Sequence, residues 1–94
     1  MPVSFSDRVT VPEAVLISDL QEESVMLNLD NERYYGLDDV GSRMYSVLTS
    51  SESIEAAYEL LVREYKVEGE LLRSDLLMLV DKLLEQGLVE ISNK

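Results

Sequence analysis

The 94 residues include no cysteine and no histidine. The thiolate nucleophile, the imidazole base and the soft-metal ligands used by most hydrolases, transferases and zinc proteins are therefore missing. What remains for chemistry is carboxylate: 19 Asp and Glu against 8 Lys and Arg, a net charge of −11. A glycosidase or hard-metal site needs such groups converging from different elements. Here they are spread along the chain and read as solvated faces. Asp30-Asn31-Glu32 lacks the acidic alternation and central glycine of a calcium loop, and Gly36 and Gly41 belong to no G-x-G-x-x-G pattern and have no Lys-Ser/Thr beside them. Ser74-Asp75-Leu76 reverses the first two residues of the Asp-Ser-Leu attachment signature of a carrier protein and falls within a helical pattern. No catalytic residue, metal or cofactor is expected.

The same charge limits partners. Binding to nucleic acid or anionic lipid depends on cationic side chains displacing counterions, which this chain opposes. Its apolar runs are a few residues long, far below the roughly 20 of a membrane span, and no signal peptide is recognisable. A cytoplasmic protein without nucleic-acid or membrane partners is expected. Apolar residues at 46% beside 29% charge indicate a globular chain, and its length suits one domain.

Five tyrosines are the more informative residues. Tyr45, Tyr58 and Tyr65 fall on or beside helical stripes and read as core. Tyr34 and Tyr35 are adjacent in an extended segment, so their side chains point to opposite faces and only one can enter a core.

The elements that position them follow from periodicity. Residues 1–8 read as an N-terminal arm, with a short strand within Phe5 to Val11. Ala14 to Leu20 and Ser24 to Leu29 read as strands joined by a turn at Gln21-Glu22-Glu23. Asp30-Asn31, two residues that tolerate left-handed backbone, lead into a third strand, Glu32 to Leu37. These connections are too short for crossovers, so the strands form an antiparallel meander. From Asp38 the period becomes helical. Asp38 or Asp39 caps a helix to Leu48 with Val40, Met44, Val47 and Leu48 on one face, and Ser53 caps a second over Ile54 to Tyr65. A third, from about Glu70 to Gln86, carries the stripe Leu72, Leu76, Leu79, Val80 and Leu83 and stops at Gly87. Leu88 to Ile91 adds a short extended piece, and residues 92–94 read as a frayed tail. The fold class is α+β, a single domain over residues 9–91. If the third strand is last in the sheet, its outer edge presents unpaired N–H and C=O groups, a template for an incoming strand.

Tyr35-Gly36-Leu37-Asp38, the helix ending in Glu64-Tyr65, and the close from Asp75-Leu76-Leu77 through Glu85-Gln86-Gly87-Leu88-Val89 resemble the PqqD-like family. Its members are recognition elements for leader peptides in pathways that modify ribosomally made peptides. The resemblance runs from about Val9 to Ile91, and the free-standing size is similar to the small leader-binding proteins of lasso peptide clusters.

That resemblance implies a winged-helix-like fold in which the leader adds a strand beside the third strand and lies against the third helix. Arg33, Tyr34, Tyr35, Gly36 and Leu37 would supply the strand's backbone, and Leu71, Asp75, Met78, Leu79 and Lys82 the opposing wall. It also implies leaders presenting a Tyr and, three residues later, a Pro to apolar pockets. The expected function is non-catalytic capture of a precursor leader peptide and its delivery to a leader peptidase, a cysteine protease. The alternatives are a peptide chaperone for a radical SAM maturase, and an acidic protein–protein adaptor. A monomer is expected, with the exposed strand edge as a route to a dimer.

Overall fold

Alternation of apolar and polar residues makes a strand only where one face is covered, and in this chain three helices do the covering. The computed structural model describes residues 3–20 and 23–92, and of Asp19 and Leu20 the backbone alone. It contains β1 (Arg8–Thr10), β2 (Val15–Leu20), β3 (Glu23–Asn28), β4 (Arg33–Leu37), α1 (Asp39–Ser50), α2 (Ile54–Tyr65), α3 (Gly69–Glu85) and β5 (Glu90–Ser92). The expected α+β arrangement is present: an antiparallel sheet in the order β2-β3-β4, followed by three helices. Of the turn expected at Gln21-Glu22-Glu23, Gln21 and Glu22 lie outside the described residues, and Glu23 already pairs with Leu20.

The β3–β4 turn differs from expectation. It spans four residues, and the left-handed backbone falls on Glu32 (φ 59°) rather than on Asp30 or Asn31. Side-chain carbonyls make the bend. Asn28 Oδ1 accepts the N–H of Asp30 at 2.8 Å and of Asn31 at 3.4 Å, and Asn31 Oδ1 accepts the N–H of Arg33 at 2.9 Å.

Each of the first two helices starts where a side chain satisfies an orphan backbone donor. Asp38 accepts the Gly41 N–H at 2.8 Å, and Ser53 accepts the Ala56 N–H at 3.1 Å. The carbonyls of Asp7 and Phe5 accept the N–H groups of Ile54 and Glu55 at 2.9 and 2.8 Å, so the N-terminal arm caps α2 from outside. The Arg73 guanidinium holds that arm, lying 4.2 Å over the Phe5 ring and 4.8 Å over the Tyr58 ring. Ser92, expected in a frayed tail, pairs with Arg8 in a β1–β5 ribbon, while Asn93 and Lys94 lie outside the described residues.

The core fills the space between the inner sheet face and the helices. Met26 and Leu37 meet Met44, Tyr45, Val47 and Leu48 of α1, Ile54, Ala57 and Leu61 of α2, and Leu72, Leu76, Val80 and Leu83 of α3. Two stripe assignments change. Val40 is exposed although its angle on α1 is right, because it stands in the first turn, before the helix reaches the packed layer. Leu79 is half-buried, at the margin of the α3 stripe.

Two predictions follow from this packing. Leu76→Ala and Leu83→Ala, at fully buried positions, should each lower stability by about 2–5 kcal/mol. Leu71→Ala and Met78→Ala, at exposed positions, should lower it by about 1 kcal/mol or less in the same chemical denaturation series. The second prediction concerns pH. Arg43 binds Glu64 through two bonds of 2.9 and 2.8 Å, and that bonding holds the Glu64 carboxyl below its ordinary value. A carboxyl depressed on folding contributes stability above its unfolded pKa and loses it as pH falls through the folded value. Thermal melts should therefore place Glu64→Gln slightly below the parent at pH 7, with the difference closing below the ordinary carboxylate range.

Candidate functional site

β4 ends the sheet, and among the described residues no strand pairs with its outer side. Which of its backbone groups face outward follows from the ladder. In an antiparallel pair, residues that exchange hydrogen bonds alternate with residues that do not. The Leu29 N–H donates to the Ala14 carbonyl at 2.9 Å, directly opposite in the β2–β3 register. Leu27 and Val25 therefore also bond toward β2, which leaves Asn28, Met26 and Ser24 to bond toward β4. Their partners are Arg33, Tyr35 and Leu37. The N–H and C=O groups of Tyr34 and Gly36 are the ones aimed away from the sheet. Of the five residues expected to supply backbone bonds, two are oriented to do so.

The side chains divide the same way. Tyr35 and Leu37 stand on the helix-covered face, half-buried and buried, opposite Met26 and Ser24. Tyr34 and Gly36 stand on the other face opposite Leu27 and Val25, and Tyr34 is 71% exposed. The neighbouring tyrosines are thus resolved: Tyr35 enters the core margin and Tyr34 remains outside. A Cβ built on Gly36 has nothing within 4 Å, so the edge is open above it.

The wall across from β4 is set by polar contacts at one end of α3. Arg33 Nη1 donates to Gln86 Oε1 at 3.1 Å, Asn31 Nδ2 donates to the Gln86 carbonyl at 3.4 Å, and Asn28 Nδ2 donates to the Gly87 carbonyl. The Gln86 flank of α3 therefore turns toward β4. At 100° per residue, Leu79, Asp75 and Lys82 lie within about 40° of Gln86. Leu71 and Met78 lie about 60° and 80° round, at the outer margin. Arg73, on the opposite side of the stripe, packs on Phe5 and Tyr58 instead. Leu79 is half-buried while Asp75, Lys82, Leu71 and Met78 are exposed. The open β4 edge and the Gln86 flank of α3 are thus neighbouring surfaces, joined at the Arg33–Gln86 contact.

Sequence reasoning missed Asn28, Asn31 and Gln86, which join the walls. Their signal lies only in a pairing across more than fifty residues, which periodicity does not carry. Among the described residues no group of three or more acidic side chains could hold a metal, and no helix is long and apolar enough to cross a membrane.

The family described as coenzyme PQQ synthesis protein D (PqqD) matches residues 23–89, more than two thirds of the chain. The chain belongs to the PqqD family, as the Tyr35–Asp38 and Asp75–Val89 segments implied. Among solved structures it is similar to TbiB1 in complex with the TbiA(beta) leader peptide, at 31% identity and a TM-score of 0.80, covering 86% of this chain and 94% of that one. A lasso peptide synthetase B1 complexed with the leader peptide shares the fold, at 22% identity and a TM-score of 0.79, covering 88% of this chain and 98% of that one. No curated protein matches the chain significantly.

The backbone directions generate a prediction about folding alone. Tyr35→Pro removes a donor that bonds to β3 and should lower the melting temperature sharply. Gly36→Pro removes a donor that faces outward and should melt within a few degrees of the parent. Equal losses in the two variants, followed by circular dichroism, would show that the outward assignment is wrong.

Proposed function

We propose that this protein is a non-catalytic recognition element for the leader region of a ribosomal precursor peptide. The leader adds as a strand to the outer edge of β4, using the backbone of Tyr34 and Gly36, and lies against Leu79, Asp75 and Lys82 of α3. Main-chain bonds supply affinity, and pockets for alternate side chains supply register. The observation that carries this reading is the open β4 edge facing an α3 flank in a chain 31% identical to TbiB1, whose structure holds a leader peptide. Leu71 and Met78 add exposed apolar surface at the outer margin of that wall.

In this reading the protein works in lasso peptide biosynthesis in the cytoplasm and hands the bound precursor to a separate leader peptidase of the cysteine-protease class. The description of the family as a coenzyme PQQ synthesis protein favours one alternative, a peptide chaperone for a radical SAM maturase. Both use the same edge and differ in the enzyme served. In the absence of leader, the edge is also the route by which two copies would pair.

Calorimetric titration of the isolated protein with synthetic leader fragments tests the site. Gly36→Pro and Tyr34→Pro should each weaken binding by about tenfold or more, since each loses a main-chain bond and places a ring against the incoming strand. Glu13→Ala, in the loop before β2, should bind as the parent does. Unchanged affinity in both proline variants would exclude the edge. Incubated with a precursor peptide and no partner enzyme, the protein should leave its mass unchanged. Cleavage by the protein alone would refute the non-catalytic reading.

A further inference from the structure

Among the described residues Arg8, Arg33, Arg63, Lys66 and Lys82 join no ion pair, and two of these, Arg33 and Lys82, stand beside the Gln86 contact. Arg33 opens β4, and its side-chain bond is to the neutral amide of Gln86. Lys82 lies one turn before Gln86, its carbonyl accepting the Gln86 N–H at 3.2 Å, so it shares the flank that faces Arg33. The ion pairs among the described residues are Arg43–Glu64 and Arg73–Glu55, and neither Arg33 nor Lys82 joins one.

The other end is acidic on both walls. β4 runs directly into Asp38 and Asp39, and Asp38 is about 17 Å from Arg33 at the rise of a strand. On α3, Asp75 is about 16 Å from Gln86 at the rise of a helix. Along each element the charge therefore changes from positive to negative with distance from the Gln86 contact that joins them. Asp30 and Glu32 sit in the turn beyond that contact, and Glu85 lies about 100° round α3 from Gln86, on the solvent side of Lys82 beyond Met78.

We infer that the cleft selects its occupant by charge: the added strand carries an Asp or Glu at the Arg33–Lys82 end and a basic or neutral residue about four positions away, at the Asp38–Asp75 end. The Lys82–Asp75 separation of about 10 Å along the helix and the Arg33–Asp38 separation of about 17 Å bracket the ~14 Å of four strand residues, a spacing that returns to the same face. The inference rests on the strand-addition reading and completes it. Main-chain bonding accepts a strand in more than one register, whereas a fixed pair of charged ends penalises every register and direction but one. Arg33 and Lys82 are then specificity-determining residues.

The test pans a phage-displayed library of random 12-residue peptides against the full chain and retains those whose binding is lost on the Gly36→Pro chain. These peptides should share Asp or Glu at one aligned position. The Arg33→Glu, Lys82→Glu double variant, checked for a parental melt, should select Lys or Arg at that position instead. A synthetic peptide from the wild-type selection should lose about tenfold in affinity when its acid is changed to Gln, and Lys82→Gln should weaken the acidic peptide but not the Gln peptide. Edge-dependent peptides with no charge preference, or with one that the double variant leaves unaltered, would overturn the inference while leaving strand addition intact. Recovery of no peptide sensitive to Gly36→Pro would overturn both.

Discussion

The Asn28 side-chain amide holds the site together. Its oxygen accepts two backbone N–H groups of the β3–β4 turn, and its nitrogen donates to the Gly87 carbonyl just past the end of α3. One buried polar side chain therefore determines both how β4 returns along β3 and where the last turn of α3 sits relative to it. The cost of burying an amide is met because both of its ends are bonded. Gly87 is part of the same constraint. Its φ of +71° suits glycine, and a Cβ there would lie 3.1 Å from Asn28 Nδ2 and 3.2 Å from Asn31 Nδ2. Arg33 and Gln86 then extend the contact to the surface.

With β4 and α3 joined at one end, the rest of the edge can stay open without the sheet losing definition. Natural edges are usually blunted by lysine, proline, bulges or a covering element. β4 has Arg33 at its start, then Tyr34, Tyr35, the bare Gly36 and Leu37, with no proline among them. A five-residue strand with two outward-facing backbone positions is short enough to limit self-association. It remains long enough to accept an extended peptide. The surrounding negative charge works in the same sense, because two copies brought edge to edge would place like charges together.

Much of this architecture was legible in the sequence because it depends on local rules. Ser53 and Asp38 announce helix starts by the chemistry of their side chains, Gly87 announces a stop, and the period changes at Asp38 where the meander gives way to helices. The β3–β4 turn was misread because Asn28, two residues before Asp30, supplies the turning acceptor, and a strand's last residue is not where turn signals are sought. Val40 was misread because helical angle predicts the buried side and not the depth of each turn. For the site, Tyr34 and Tyr35 could be seen to diverge, but which of them enters the core needed the β3 register. The orientation of the α3 flank needed the contacts of Gln86. Those are long-range relations, and no local pattern encodes them.

α3 separates stability from recognition by angle. Leu72, Leu76, Val80 and Leu83 lie within one arc and are buried, Arg73 to one side fastens the N-terminal arm, and Gln86 to the other bonds to Arg33 of β4, with Asp75 and Lys82 on its side of the helix. Substitutions on the arc that carries Asp75, Lys82 and Gln86 meet solvent rather than the core, so their effect on folding is small. On the proposed reading, the peptide recognised can change through a few residues of one arc and the outer edge of one strand. The cap, the stop and the Asn28 contact must meanwhile stay as they are, because they hold those two surfaces at a fixed separation. On that reading specificity varies where the fold is least sensitive, and the Asn28 contact, the Asp38 cap and the Gly87 stop set the geometry around it.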